Sequence, residues 1–330
     1  MKIGFVFSGY GSQWVGMGKE LYDKSRSTQE LFEEAANCLD SNFVKLCFAS
    51  SDSELSKIEN AYVALYVVSV AIAQKLEEVG ITPTKVAGYD IGEYAALTVA
   101  GALNVPDALY LLKKYSLFYQ ENLDLRPVKG MRVVGIELSE LEKLCKKVSK
   151  KTEIAALAVV EGKEQFVVIA TEEAAGTLKA LLTQLSYVTV TTAPVGGGLH
   201  APAMDDIVKQ MKMYLEKVDF KNTSIPFISA VIGKPLTEGD MVRAALMQHI
   251  HAQTQWVAVQ EAFEECDYIL EIGPGTALQK GFAERYPKKK IFAINSLEDI
   301  NALVGFDDIQ ASIKKEIEVL EEAATEDKKE

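Results

Sequence analysis

The chain of 330 residues is long enough to form one large domain or two smaller ones. Its 48% hydrophobic and 25% charged residues are typical of a soluble globular protein. The 47 acidic residues outnumber the 35 basic ones and give a formal net charge of −12, which argues against a nucleic-acid-binding surface, because phosphates require a basic face.

The first 127 residues show strands alternating with helices. The strand at 85–88 has no apolar/polar alternation, as expected of a parallel strand buried on both faces. The pattern predicts an α/β domain with a parallel sheet. Its predicted strands are Ile3–Phe7 and Lys85–Gly88, and its predicted helices include Thr28–Leu39, Asn60–Glu78, Gly92–Ala100 and Pro106–Tyr119.

The pattern changes at residue 128. A β-α-β-β-α-β order up to residue 192, with a hairpin closed around 161–163, predicts a ferredoxin-like subdomain inserted into the larger domain. The larger domain resumes over 193–305, with strands predicted at Ile225–Val231, Asp267–Ile272 and Ile291–Ile294. The end, 306–330, is predicted to be a helical and then polar tail.

The cysteines and the hydrophobic runs bear on location and on metal binding. No pair of cysteines has the C-x-x-C spacing, so neither a disulfide framework nor a zinc site is predicted; the four are Cys38, Cys47, Cys145 and Cys266. The start of the chain reads as a buried strand rather than a signal peptide, and the apolar run at 61–73 is too short to cross a bilayer. A cytoplasmic protein is expected.

The segment Gly88-Tyr-Asp-Ile-Gly92 has the layout of a nucleophile elbow. A short strand meets a Gly-x-x-x-Gly turn and a helix starts at once, so the middle residue is presented at the helix N-terminus. That residue is usually serine or cysteine, but here it is Asp90, preceded by Tyr89. The sequence therefore predicts a catalytic scaffold with the nucleophile replaced.

Several motifs in one order resemble a known family, the malonyl-CoA:acyl-carrier-protein transacylases and the acyltransferase domains of polyketide synthases. The resemblance spans 3 to about 294, nearly the whole chain. The motifs that carry it are Phe5–Gln13, Trp14–Gly18, Gly88–Leu97, Leu199–Met204 and Glu271–Gly275.

The resemblance implies an α/β-hydrolase-like fold and ping-pong acyl transfer from coenzyme A to the phosphopantetheine thiol of acyl carrier protein. It implies acyl-CoA as substrate, no bound cofactor and a role in fatty-acid or polyketide biosynthesis. His200 matches the catalytic histidine. Tyr10 and Ile91 would supply the oxyanion-binding backbone N–H groups, a role that tolerates side-chain replacement.

Further positions depart from the family pattern. Tyr115 stands where the malonyl-binding arginine is expected, and a tyrosine hydroxyl cannot equal a bidentate guanidinium as a carboxylate partner. Lys113, Lys114 and Arg132 are the candidate substitute cations. His249 stands where the family has a glutamine, and both positions, Tyr115 and His249, are predicted to bind substrate.

Asp90 has three possible roles. The carboxylate is a nucleophile that forms a mixed anhydride, a base that activates water, or an inert residue at the helix N-terminus paired with His200. The corresponding functions are an acyltransferase, an acyl-thioester hydrolase and a catalytically silent, carrier-protein-binding scaffold. In all three, Asp90 and His200 are expected to meet in a cleft between the subdomains.

His249 and His251 form an H-x-H pair on a segment that reads as mostly polar. Such a pair can ligate a metal ion, but the sequence offers no evident third ligand. No metal site is predicted.

Overall fold

A computed structural model describes residues 1–194 and 204–315. Its larger sheet has six strands in the order β10-β9-β1-β2-β7-β8, all parallel except the antiparallel β7–β8 pair. The strands β1, β2 and β9 are short apolar runs buried on both faces, as expected in a covered parallel sheet. The bounds are β1 Ile3–Phe7, β2 Lys85–Gly88, β7 Phe227–Ile228, β8 Pro235–Leu236, β9 Tyr268–Ile272 and β10 Lys290–Ile294.

Helices that cover this sheet come from both ends of the described chain. The N-terminal group is α1 Lys19–Lys24, α2 Arg26–Leu39, α3 Phe43–Ala49, α4 Asp52–Leu55, α5 Ile58–Glu78, α6 Gly92–Val99 and α7 Val105–Leu125. The later group is α10 Asp205–Leu215, α11 Gly239–His249, α12 Trp256–Ala262, α13 Ala277–Arg285 and α14 Leu297–Val304. None of the helices in 1–194 and 204–315 is long and apolar enough to cross a membrane.

The second sheet is antiparallel and has the strand order β4-β5-β3-β6. Its elements follow the predicted β-α-β-β-α-β sequence: β3 Val128–Val134, α8 Leu138–Val148, β4 Ala155–Gly162, β5 Gln165–Thr171, α9 Glu172–Leu182 and β6 Thr189–Ala193. A separate core of its own, which includes Phe166 and Leu178, lies between this sheet and its two helices. The predicted fold class, a parallel-sheet α/β domain with a second, ferredoxin-like sheet, is confirmed.

The predicted strand at 225–231 is wrong in its extent. β7 contains Phe227–Ile228 alone, because Pro226 has no N–H to donate and the chain turns at Ser229, whose carbonyl accepts the N–H of Gly233. Helix α11 was not predicted, and it buries His249, so the interpretation of that segment as mostly polar is also wrong. The division at 127/128 and 192/193 stays a prediction.

Candidate active site

The elbow is the point where β2 passes into α6. Asp90 adopts a left-handed backbone conformation with φ 55° between two glycines, a conformation that aspartate tolerates better than most residues. A Cβ on Gly88 would lie 2.0 Å from the backbone N of Glu93, and one on Gly92 would lie 2.4 Å from the carbonyl oxygen of Phe7. Both positions therefore require glycine, and the turn holds Asp90 in one place against the first loop.

The first loop, which follows β1, contacts Asp90 directly. The backbone N–H of Tyr10 donates a hydrogen bond to Asp90 Oδ2 over 3.1 Å. A Cβ on Gly9 would lie 3.0 Å from the Cβ of Asp90, so glycine permits this approach. The side chain of Tyr10 points elsewhere, since its hydroxyl donates to the carbonyl of Ser56 over 2.7 Å. The N–H predicted to bind an oxyanion thus binds the Asp90 carboxylate.

A small cavity adjoins the Asp90 side chain. Its volume of about 10 Å³ is about what one water molecule requires. Asp90 is 5% exposed and Tyr115 is 3% exposed. Burial, together with the Asp90 charge, raises the pKa of Tyr115 well above its ordinary value, which keeps the phenol neutral. The lining residues are Asp90, Ile91, Tyr94, Tyr115, Leu246, His249 and Ile250.

The structure thus brings most of the predicted site residues together. Asp90, Ile91, Tyr115 and His249 line the one cavity, and Tyr10 is hydrogen-bonded to Asp90. His200 lies outside the described residues, so its contact with Asp90 stays a prediction, as do the roles of the other five.

His249 is part of a buried polar network. Its Nδ1 lies 2.6 Å from Glu93 Oε2, and its Nε2 lies 2.8 Å from Thr254 Oγ1. The backbone of Thr254 in turn bonds to β4, donating to the carbonyl of Ala158 and accepting the N–H of Val160. The network therefore ties the elbow helix α6 to the antiparallel sheet.

His251 is separate from that network. It lies 2.7 Å from Asp205 Oδ1 at the surface, while His249 is buried. Among residues 1–194 and 204–315, no group of three or more His, Cys, Asp or Glu side chains is arranged to hold a metal ion.

Tyr89, which precedes Asp90, makes a second link between the two sheets. Its hydroxyl donates to Glu161 Oε1 over 3.1 Å, and Arg132 pairs with both oxygens of Glu161 over 2.7 and 2.8 Å. The ring of Tyr89 packs edge-on against Trp256, with centroids 5.0 Å apart. Burial and the Glu161 charge raise the pKa of Tyr89 well above its ordinary value.

Sequence reasoning missed Glu161, Glu93 and Tyr94 at this site. The run Asp-Ile-Gly-Glu-Tyr at 90–94 contains two of them, and it was the available signal.

The candidate substitute cations are engaged elsewhere. Lys113 pairs with Glu59 over 3.1 Å, and Lys114 Nζ lies 5.4 Å from the ring centroid of Tyr214. Arg132 pairs with Glu161, as described above. None of these lysines and arginines lines the cavity beside Asp90.

Comparison with known proteins shows the family to which this chain belongs. The family of acyl transferase domains matches residues 4–291, so this chain belongs to that family. The resemblance inferred from the motifs is confirmed.

Individual relatives have more specific names than the family. The malonyl CoA-acyl carrier protein transacylase of Bacillus subtilis (strain 168) is 29% identical over 92% of this chain and 96% of its own. The solved transacylase of that name from Clostridium perfringens is 25% identical, covers 98% of this chain and 100% of its own, and has a TM-score of 0.85. A malonyl-transacylase solved with its type II polyketide synthase acyl-carrier protein resembles this chain in fold, with a TM-score of 0.85 at 24% identity over 91% of this chain and 98% of its own.

Proposed function

We propose that this chain transfers an acyl group from coenzyme A to the phosphopantetheine thiol of acyl carrier protein, as an S-malonyltransferase does, in fatty-acid or polyketide biosynthesis. Family membership and the names of the relatives support the reaction class. The observation that carries the proposal is the intact elbow, which holds Asp90 at φ 55° against the Tyr10 N–H.

In the proposed reaction Asp90 replaces the serine. Its carboxylate attacks the carbonyl carbon of the thioester, and the coenzyme A thiolate leaves to give a mixed anhydride. His200 donates a proton to the leaving thiolate. The same histidine then accepts the proton of the carrier thiol, which attacks the acyl carbonyl carbon and regenerates the Asp90 carboxylate.

Substrate binding must rearrange one hydrogen bond. The Tyr10 N–H is bonded to Asp90 Oδ2, so the thioester oxygen has to take that donor from the carboxylate. Ile91, at the start of α6, would supply the second oxyanion donor. Tyr115 and His249, which line the cavity beside Asp90, would contact the acyl group.

The proposal also fixes the partners. Acyl carrier protein is the acceptor and acyl-CoA the substrate, with no bound cofactor and no metal ion. The reaction belongs in the cytoplasm. The cleft between the larger domain (1–127 and 193–305) and the subdomain (128–192) is the proposed entry for both thioesters.

A second candidate is a silent scaffold that binds acyl carrier protein without turnover. The Tyr10–Asp90 hydrogen bond favours it, because a carboxylate oxygen already occupies an oxyanion donor. In that case Asp90 satisfies the Tyr10 N–H permanently, and no substrate oxygen takes its place.

The two functions separate in one experiment. The full chain is incubated with malonyl-CoA or acetyl-CoA and the holo carrier protein, and the carrier is weighed by mass spectrometry. Asp90→Asn is the matched control, because the amide oxygen can still accept the Tyr10 N–H but the amide cannot act as a nucleophile. Transfer by the wild type and loss in the variant support acyl transfer. Carrier binding without transfer in either protein overturns it in favour of the scaffold.

A further inference from the structure

Two tyrosine hydroxyls near Asp90 have no hydrogen-bond partner among residues 1–194 and 204–315. They belong to Tyr94 on α6 and Tyr115 on α7, which are 2% and 3% exposed. Within the described residues neither hydroxyl reaches another polar atom. A buried hydroxyl without a partner is destabilising, so two at one place call for an explanation.

Both side chains line the cavity beside Asp90. Its volume of about 10 Å³ is near the lower limit for one water molecule, and a buried water needs two to four polar partners. Tyr94, Tyr115 and Asp90 supply three polar side chains around that volume. The other described residues that line it are His249 and three aliphatic residues, Ile91, Leu246 and Ile250.

The protonation of these groups suits a bound water. Burial raises the pKa of both tyrosines; the charges of Glu93 and Asp90 add to this at Tyr94, and the charge of Asp90 adds to it at Tyr115. Both phenols are therefore neutral donors at neutral pH. A carboxylate accepts hydrogen bonds, and a water can accept from the phenols while donating to it.

We propose that Tyr94 and Tyr115 hold one water molecule against the Asp90 carboxylate, and that this water hydrolyses acyl thioesters bound at the site. The inference rests on the proposed function, since it requires an acyl thioester at Asp90. It adds hydrolysis to transfer as a second reaction of the acyl thioester. Tyr94 and Tyr115 are positioning residues in this reaction.

The hydrolytic step balances with the groups present. Asp90 accepts a proton from the water while the water oxygen attacks the thioester carbonyl carbon. The tetrahedral intermediate expels the thiolate, which receives the proton from Asp90. The products are a free carboxylic acid and free coenzyme A, and the Asp90 carboxylate is regenerated.

A stability measurement tests the water without any catalysis. Tyr94→Phe and Tyr115→Phe each remove one donor. If the hydroxyls bind water, both variants have a lower urea midpoint than the wild type, whereas removal of an orphaned hydroxyl leaves it equal or raises it. The control is Tyr22→Phe, because Tyr22 packs 5.3 Å from Phe32 between ring centroids and does not line the cavity. An equal or higher midpoint in both variants overturns the proposal.

Hydrolysis is measured next, as free acid released from acetyl-CoA without carrier protein. We expect kcat for hydrolysis to fall about tenfold in both Tyr94→Phe and Tyr115→Phe. In Tyr94→Phe, which removes no proposed contact with the acyl group, KM should change little and the ratio of hydrolysis to carrier transfer should fall with kcat. Tyr22→Phe should match the wild type. A single turnover in ¹⁸O-labelled water should label the released acid and leave the Asp90 peptide unlabelled; label in that peptide overturns the role of Asp90 as base.

The outcomes separate this inference from the proposed function. Transfer to the carrier with hydrolysis unaffected by both tyrosine variants refutes the water site alone. Absence of any reaction in the wild type refutes the proposed function and the hydrolysis together, and the urea midpoints then decide whether the water is bound.

Discussion

Asp90→Ser tests the elbow directly, because it restores the residue that the family uses. The change removes the carboxylate oxygen that accepts the Tyr10 N–H over 3.1 Å and leaves the glycines on either side in place. We expect the variant to form a stable acyl ester on residue 90, where the wild type forms a labile anhydride that does not accumulate.

The expected changes in rate and in stability follow from the Tyr10 N–H. One oxyanion donor contributes about 10²–10³ in kcat, or about 2.7–4 kcal/mol, and the serine variant no longer has to free this donor first. The cost is a hydrogen bond to a charged group, worth about 1.5–3 kcal/mol, partly offset because a buried carboxylate is removed. Serine is also less favourable than aspartate at positive φ. We therefore expect faster coenzyme A release from a moderately less stable protein.

The assay follows the thioester absorbance after mixing with acyl-CoA, and mass spectrometry of the protein then measures acylation. Asp90→Asn keeps the acceptor for Tyr10 and should show neither a burst nor an adduct. A folded Asp90→Ser protein without burst or adduct would refute the reasoning, since the elbow and the freed N–H would then be insufficient for acylation.

Three further predictions concern the frame and the acyl group. Gly88→Ala should destabilise the fold by more than about 3 kcal/mol, because its Cβ would lie 2.0 Å from the α6 backbone. Gly176→Ala, at an open helical position, should stabilise the fold by about 0.5–1 kcal/mol. Urea unfolding measures both free-energy changes. Burial raises the pKa of Glu271 above 4.5, so its native form holds a proton that the unfolded chain has lost, and stability falls as pH rises through that window. Glu271→Gln, which still accepts the Gln279 N–H, should be more stable than wild type at pH 7 but not at pH 4. With Tyr115 in the arginine position, malonyl-CoA and acetyl-CoA should bind within about threefold of each other by calorimetry, and a strong malonyl preference would contradict this.

The sequence predicted the elbow well because the signal there is local. The strands Ile3–Phe7 and Lys85–Gly88 have the predicted bounds, since each is an apolar run that ends where glycines begin a turn. The glycine spacing also predicted the sharp strand-to-helix turn at Asp90, where the structure leaves no room for a Cβ on Gly88 or Gly92.

The contacts of the site were not predictable in the same way. The Tyr10–Asp90 hydrogen bond joins residues 80 positions apart. The Arg132–Glu161 pair joins residues 29 positions apart on β3 and β4, which are separated by β5 in the antiparallel sheet. Motif spacing carries no information about such pairs. The burial of His249 was missed because its partners, Glu93 and Thr254, lie on different elements.

The two main departures from the family, Asp90 and Tyr115, are physically coupled. Both side chains line one cavity of about 10 Å³, and the charge of Asp90 contributes to the raised pKa of Tyr115. We expect an arginine at position 115 to pair with the Asp90 carboxylate and to hold it away from a thioester. A tyrosine at position 115 adds no positive charge beside the carboxylate, so the loss of the arginine is compatible with the proposed role of Asp90 as the nucleophile.

This coupling predicts opposite effects of one substitution in two backgrounds. Tyr115→Arg in the wild type should abolish transfer, because the new guanidinium pairs with Asp90. In the Asp90→Ser background the same change should raise the preference for malonyl-CoA over acetyl-CoA at least about tenfold, because the guanidinium is then available to the malonyl carboxylate. The two rates with each thioester form a double-mutant cycle, and urea midpoints verify that all four proteins are folded. Additive effects in that cycle would show that positions 90 and 115 do not interact. The proposed coupling between Asp90 and the loss of the arginine would then be refuted.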